Sequence, residues 1–194
     1  TGVGFQPDMC WFKVRNNTDT HAIFDAVRGA TKRIIPDNTT AEGTQSNGIT
    51  SFDSDGFTSG GANITNGSGR NYASWNWLGA NGTASNTDGS ITSTVSANTT
   101  SGFSIVSYTG NGTSGATIGH GLSSAPSMIL VKSRSTTQSW IVYHKSIGAT
   151  KFLRLEETDT EAVASSVWND TAPTNSVITL GNSSGTNTNG TTYI

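Results

Sequence analysis

Gly4-Phe5-Gln6-Pro7-Asp8-Met9-Cys10-Trp11-Phe12-Lys13-Val14-Arg15 is answered later in the chain by Gly121-Leu122-Ser123-Ser124-Ala125-Pro126-Ser127-Met128-Ile129-Leu130-Val131-Lys132-Ser133-Arg134. Pro7 falls on Pro126, Lys13 on Lys132 and Arg15 on Arg134, all at one spacing. The same spacing lays Gly29-Ala30-Thr31-Lys32 on Gly148-Ala149-Thr150-Lys151, and Thr39-Thr40-Ala41-Glu42 on Thr158-Asp159-Thr160-Glu161. After a two-residue insertion, Phe57-Thr58-Ser59-Gly60 meets Ile178-Thr179-Leu180-Gly181, and Gly69-Arg70-Asn71-Tyr72 meets Gly190-Thr191-Thr192-Tyr193. One structural unit is written twice. Its first element is an apolar run of strand length between a proline turn and a basic residue, which points to β structure.

Other short runs rich in β-branched and aromatic residues extend this reading. Strands are predicted over 9–14, 21–27, 56–59, 72–77, 103–108, 127–132, 140–144, 151–155 and 176–180, each bounded by Gly, Asn, Pro or Ser. Their spacing suits an all-β chain of two antiparallel sandwich repeats with few or no helices. Residues 156–166 alone resemble a short helix. Asn111-Gly112 marks a hairpin turn, because it accepts the positive φ of primed turns. Residues 81–101 have linker composition, although 90–95 reads as an edge strand. The expected organisation is a first repeat over 1–80, a linker over 81–101 and a second repeat over 102–194. Comparing the copies, the first lacks an opening strand equivalent to 103–108 and the second a closing strand equivalent to 72–77. The chain therefore reads as an internal segment of a longer polypeptide, its missing strands supplied by further chain, a partner or the other repeat.

Charged residues are 12% of the chain and the net charge is −2. That leaves no basic patch for a nucleic acid backbone, and no apolar run is long enough to span a bilayer. The lone Cys10 reads as a buried small hydrophobe. Sequons are frequent, as expected by chance in a chain so rich in Asn, Ser and Thr.

Catalytic groups are hard to assemble. His21 falls opposite Trp140 in the repeat, and Asp25 opposite His144, so no paired role survives the exchange. Asp53-Ser54-Asp55-Gly56 begins like a calcium loop but lacks the distal ligands. Glu156 and Glu157 are adjacent, and neighbours on a strand face opposite sides, which defeats a two-carboxylate site. No catalytic residue, cofactor or metal is assigned. The candidates for contact with a partner are Trp168, in the polar stretch Val167-Trp168-Asn169-Asp170, with Tyr143 and the Gly-flanked His120. Trp75 and Trp77, on one strand face, are expected in the core.

Several stretches carry a more specific likeness. Gly4-Phe5-Gln6-Pro7-Asp8, Lys13-Val14-Arg15, residues 24–32, Thr39-Thr40-Ala41-Glu42, residues 52–58, residues 86–112, His120-Gly121-Leu122 and residues 167–173 together resemble repeat modules of marine bacteriophage virion proteins. The resemblance covers nearly the whole chain. It implies lectin-like, jelly-roll-type β-sandwich modules of a tail-fibre or tail-associated protein in the virion, non-catalytic and used in host attachment. A head fibre, capsid decoration or structural spacer is the alternative. The implied partners are other virion proteins, further copies of the chain in a trimer, and a glycan or protein of the host surface, with no nucleic acid and no membrane insertion.

Overall fold

Period-two alternation builds the first strand. β1 (Met9–Val14) buries Cys10, Phe12 and Val14 and leaves Met9, Trp11 and Lys13 half-buried, so both faces carry apolar side chains. In the computed structural model, which describes residues 2–194, the first half continues with β2 (Ala22–Asp25), β3 (Lys32–Arg33), β4 (Gly43–Thr44), β5 (Ile49–Asp53), β6 (Gly56–Ser59), a helical turn α1 (Asn63–Asn66) and β7 (Tyr72–Trp77). β1 is central in a three-stranded antiparallel sheet. Met9 faces Asp25 of β2 on one side and Trp77 of β7 on the other. Its Cys10 and Phe12 pack with Ala22, Phe24 and Ile49, and the Phe12 ring meets Phe24 and Phe57 edge-on. Burial pushes the Cys10 thiol up to about 12, consistent with a packed, unreactive side chain.

The second half comprises β8 (Ala84–Asn86), β9 (Ser93–Asn98), β10 (Phe103–Thr109), β11 (Ala116–Gly119), β12 (Met128–Val131), β13 (Ile141–His144), β14 (Lys151–Arg154), β15 (Ala162–Val163), α2 (Ser165–Trp168), β16 (Val177–Leu180) and β17 (Thr192–Tyr193). One sheet runs β17-β10-β9-β8, a second β12-β13-β14-β15, and β11 pairs with β16. The core between them gathers Tyr108, Ile118, Tyr143, Phe152, Trp168, Ile178, Leu180 and Tyr193. The chain is all-β and antiparallel in every named ladder, as expected.

The repeat is reproduced in hydrogen bonds. The Tyr72 hydroxyl donates to Asn63 O and accepts from Gly67 N–H; the Tyr193 hydroxyl donates to Ser184 O and accepts from Thr188 N–H. Lys13 Nζ donates to Val14 O, and Lys132 Nζ to Ser133 O. Tyr72 pairs with Val14, and Tyr193 bridges Ser133.

Several expectations need correction. Residues 81–101 are not a linker: β8 and β9 complete the sheet begun by β10. Composition misled because small hydroxyl side chains pack inside strands once their oxygens are bonded. Ser93 Oγ donates to Gly119 O and Ser96 Oγ to Asp8 Oδ1. The 109–113 turn closes no hairpin, since β10 pairs with β9 and β17 while β11 pairs with β16. Gly112 does take φ of +72°, but Asn187 captures Asn111 N–H and Thr113 O and sends the chain across to the other sheet. The helical turn α2 occupies only the end of 156–166 and runs past it to Trp168, the rest being turn, extended chain and β15. Trp75 is not core: it is 49% exposed, because nothing covers that part of β7.

Candidate functional site

The two halves are joined by polar side chains withdrawn from water. Asp8, fully buried, accepts from Gly79 N–H, Asn81 N–H and Ser96 Oγ, tying the start of β1 to the turn before β8 and to β9. Arg28 forms a buried ion pair with Asp25 and reaches Glu42 at 3.3 Å, and Glu42 takes two bonds from Arg134 of the other repeat, at 2.9 and 3.2 Å. Burial pushes the Glu42 carboxyl up, but Arg134 and Arg28 outweigh it and hold the group below its usual range. Beside this network Lys132 Nζ donates to Thr39 O at 3.1 Å, and Trp140 Nε1–H donates to Ile35 O at 2.8 Å. Burial lowers the Lys132 ammonium to about 8, partly opposed by Glu156. A third apolar cluster crosses the same boundary: Ile23 and Ile34 pack with Trp140, with Met9, Trp11, Leu130 and Leu155 against them.

Next to this junction opens a cleft of about 410 Å³. One wall is β10 from Phe103 to Val106, another is β12 from Met128 to Val131, and the floor brings in Met9, Trp11 and Trp77 of the first half. The lining is overwhelmingly apolar. The carboxylate, guanidinium and imidazole groups that reach it are Asp25, Arg28 and His120, with the Tyr108 phenol beside them. Asp25 and Arg28 already satisfy one another. His120 is 2% exposed. Leu122 N–H donates to its Nδ1 at 3.1 Å, which leaves Nε2–H to donate to Thr174 O at 3.2 Å. Burial lowers its pKa, so the neutral ring holds both positions in structural bonds. This arrangement buries apolar surface and offers little acid–base chemistry.

All three residues expected to touch a partner are buried. Trp168 is 1% exposed and lies at the end of α2, its ring edge-on to Tyr143 with centroids 6.0 Å apart. Tyr143 is itself buried in β13. The structure thus joins Trp168 and Tyr143 as core, and places His120 apart from them at the cleft wall. The physical reason is local: Asn169 and Asp170, which gave the stretch its polar look, adopt positive φ and turn the chain, while the tryptophan beside them folds inward. Asp53 and Asp55 also serve the frame. Asp53 accepts from Thr58 Oγ1, and Asp55 accepts from the backbone of Gly2 and Gly4. His21 accepts from Trp11 Nε1–H at 2.8 Å. Among the described residues no three His, Cys, Asp or Glu side chains converge as a metal site.

Asp8, Glu42 and Arg28 escaped the sequence reading. Their signal was scarcity: in a chain 12% charged, Asp25 and Arg28 sit three apart in a turn, and Glu42 and Arg134 recur at repeat positions as Glu161 and Arg15.

The whole chain, residues 1–194, matches the model of a family described as a domain of unknown function, DUF7483. No curated protein and no solved structure matches it. The chain belongs to that family.

Proposed function

We propose that this member of the DUF7483 family is a non-catalytic structural module of a bacteriophage virion, part of a tail fibre or tail-associated protein used in attachment to the host surface. The observation that carries this reading is the junction. Two sandwich repeats share an apolar cluster and a buried ion network, so that they form one stiff body. A stiff tandem array suits a component that holds its shape outside the cell and presents equivalent faces several times over. Attachment by such an array rests on many weak contacts, where avidity replaces a deep individual site. Other virion proteins, further copies of the chain in a trimer, and a host glycan or protein are the partners this reading requires.

The burial of Trp168, Tyr143 and His120 favours a second reading, in which the array is a head fibre, capsid decoration or spacer and binds no receptor. Cryo-EM of intact particles carrying an epitope-tagged chain separates the two. Label at the distal tail, together with retention of the purified chain on host cells, supports attachment. Label on the capsid or in a shaft, without retention, supports the spacer. A chain absent from purified particles sinks both.

A further inference from the structure

The repeat supplies an internal control: what both copies share builds the unit, and what one copy adds is not required by the fold. One such addition surrounds the helical turn α1. In both copies the turn hangs on the same backbone bonds. Gln45 N–H donates to Thr31 O at 2.8 Å, Gly60 N–H to Gly48 O at 2.7 Å and Ala62 N–H to Asn47 O at 2.9 Å. In the second copy Ala164 N–H donates to Thr150 O at 3.2 Å, Gly181 N–H to Val167 O at 2.9 Å and Ser183 N–H to Ser166 O at 2.8 Å. The turn itself closes alike, with Asn66 N–H donating to Ala62 O and Asn187 N–H to Ser183 O, both at 2.8 Å.

On this shared frame the side chains differ. The first copy carries Gln45, Asn47, Gly61 and Asn63 where the second carries Ala164, Ser166, Asn182 and Ser184. With Ala62 and Ile64, the first set lines an open recess of about 330 Å³, at the small end of ligand sites, which run from roughly 300 to 1,000 Å³. Arg33 Nη1 donates to Gln45 Oε1 at 3.4 Å, and Gln45 Nε2 to Asn47 Oδ1 at 2.5 Å. Among the described residues, the Asn47 NH2 group is left as an unused donor. Asn63 gives its backbone O to the Tyr72 hydroxyl, and its side-chain amide makes no hydrogen bond among the described residues. Its counterpart Ser184 is committed, its Oγ donating to Gln138 Oε1 at 3.3 Å. Gly61 is not demanded by the backbone: its φ is not positive, and a Cβ there would meet nothing within 4 Å. The glycine keeps the recess open at the position that Asn182 occupies in the second copy.

We propose that this recess binds a neutral saccharide through the Asn47 and Asn63 side chains. An amide both donates and accepts, which matches the double role of a sugar hydroxyl, and Ile64 offers apolar surface to the C–H face of the ring. None of the lining residues is charged, so a phosphate or carboxylate ligand finds no counter-ion there. The second copy lacks the site, because Ser184 is committed and Asn182 stands where the glycine would open the recess. An open recess with few polar contacts binds weakly and gains from being presented many times over. The proposal rests on the attachment reading for the source of the saccharide, a glycan of the host surface. The recess itself rests on the comparison of the two copies.

The test titrates the isotope-labelled full chain with glucose, galactose, mannose and N-acetylglucosamine, followed in amide NMR spectra. The expected result is saturable shifts at the Asn47 and Asn63 side-chain amides with at least one of these sugars, and none at Ser166 or Ser184. Gly61→Asn, which copies the second repeat into the recess, should leave Tm unchanged and abolish the shifts. Asn63→Ala keeps the backbone carbonyl that holds Tyr72 and should weaken binding roughly tenfold; it decides the matter if Gly61→Asn fails to fold. Absence of shifts with all of these sugars overturns the proposal, and so does binding that both substitutions leave intact. Label at the distal tail of particles with no binding at the recess removes the site and leaves attachment standing. Binding at the recess with label on the capsid supports the site and removes attachment.

Discussion

Tyr72 and Tyr193 end the two repeats with the same hydrogen bonds: each hydroxyl donates to a carbonyl nine residues back and accepts from an N–H five residues back. Their surroundings differ. Tyr193 is fully buried and stacks on Tyr108 with ring centroids 5.2 Å apart, whereas Tyr72 is half-buried. The difference arises because β10 opens the second repeat and lies alongside its closing tyrosine; among the described residues no equivalent strand lies alongside Tyr72. Local sequence thus repeats the frame, and the neighbouring strand decides how deeply each copy is buried. Glu42 and Glu161 teach the same lesson. Both occupy the same repeat position. Glu42 lies between two arginines at the junction, and Glu161 forms an exposed pair with Lys151.

These contrasts can be tested in order of expected size. Trp168→Ala leaves a cavity in the largest core and should cost about 4 kcal/mol in urea unfolding, while Trp75→Ala, on the exposed face of β7, costs far less. Equal losses would show that the buried position of Trp168 is wrong. Glu42→Ala leaves the fully buried Arg28 and the partly buried Arg134 short of a partner, and a loss of about 3 kcal/mol is expected. Glu161→Ala should leave the unfolding midpoint where it was. A comparable loss from both would remove the distinction between junction and surface.

Tyr193→Phe removes two hydrogen bonds from a buried site, and about 1.5 kcal/mol should go with them. Tyr72→Phe should cost less, since water reaches its site and can replace part of what is lost. The reverse order would contradict the burial difference.

Lys132 supplies the smallest effect, read through pH. Its folded pKa of about 8 lies below the ordinary 10.5, so the unfolded chain binds more protons in that window. Stability contributed through this group therefore rises as pH climbs from about 8 towards 10.5. Cys10 acts oppositely. With its pKa raised from 9.0 to about 12, it loses stability as pH climbs above 9.0. Between pH 8 and 9 the lysine dominates, and Lys132→Met should flatten the rise there in thermal melts. An unchanged slope would mean that burial does not lower the Lys132 ammonium.

Much of the strand order was legible. β1, β6 and β7 fall where alternation and β-branched residues placed them, and β10 extends one residue beyond its expected end. The repeat was legible at the level of single hydrogen bonds, since Lys13 and Lys132 and the two closing tyrosines behave as pairs. Misreadings came where polar composition stood in for exposure. The Ser- and Thr-rich 81–101 became two strands because its hydroxyls find carbonyl and carboxylate partners. Trp168, among polar neighbours, became core because two left-handed residues beside it reverse the chain.

By itself the sequence determined the all-β class, the tandem unit and most strand positions, because side-chain alternation and turn residues act over a few residues and need no distant partner. Only the tertiary structure decided that an apolar cluster joins the two repeats, that Glu42 spans them, that the proposed contact residues are buried, and that an apolar cleft lies between β10 and β12. Those features depend on which segments meet across long loops, and burial, ion pairing and ladder edges exist only once they have met.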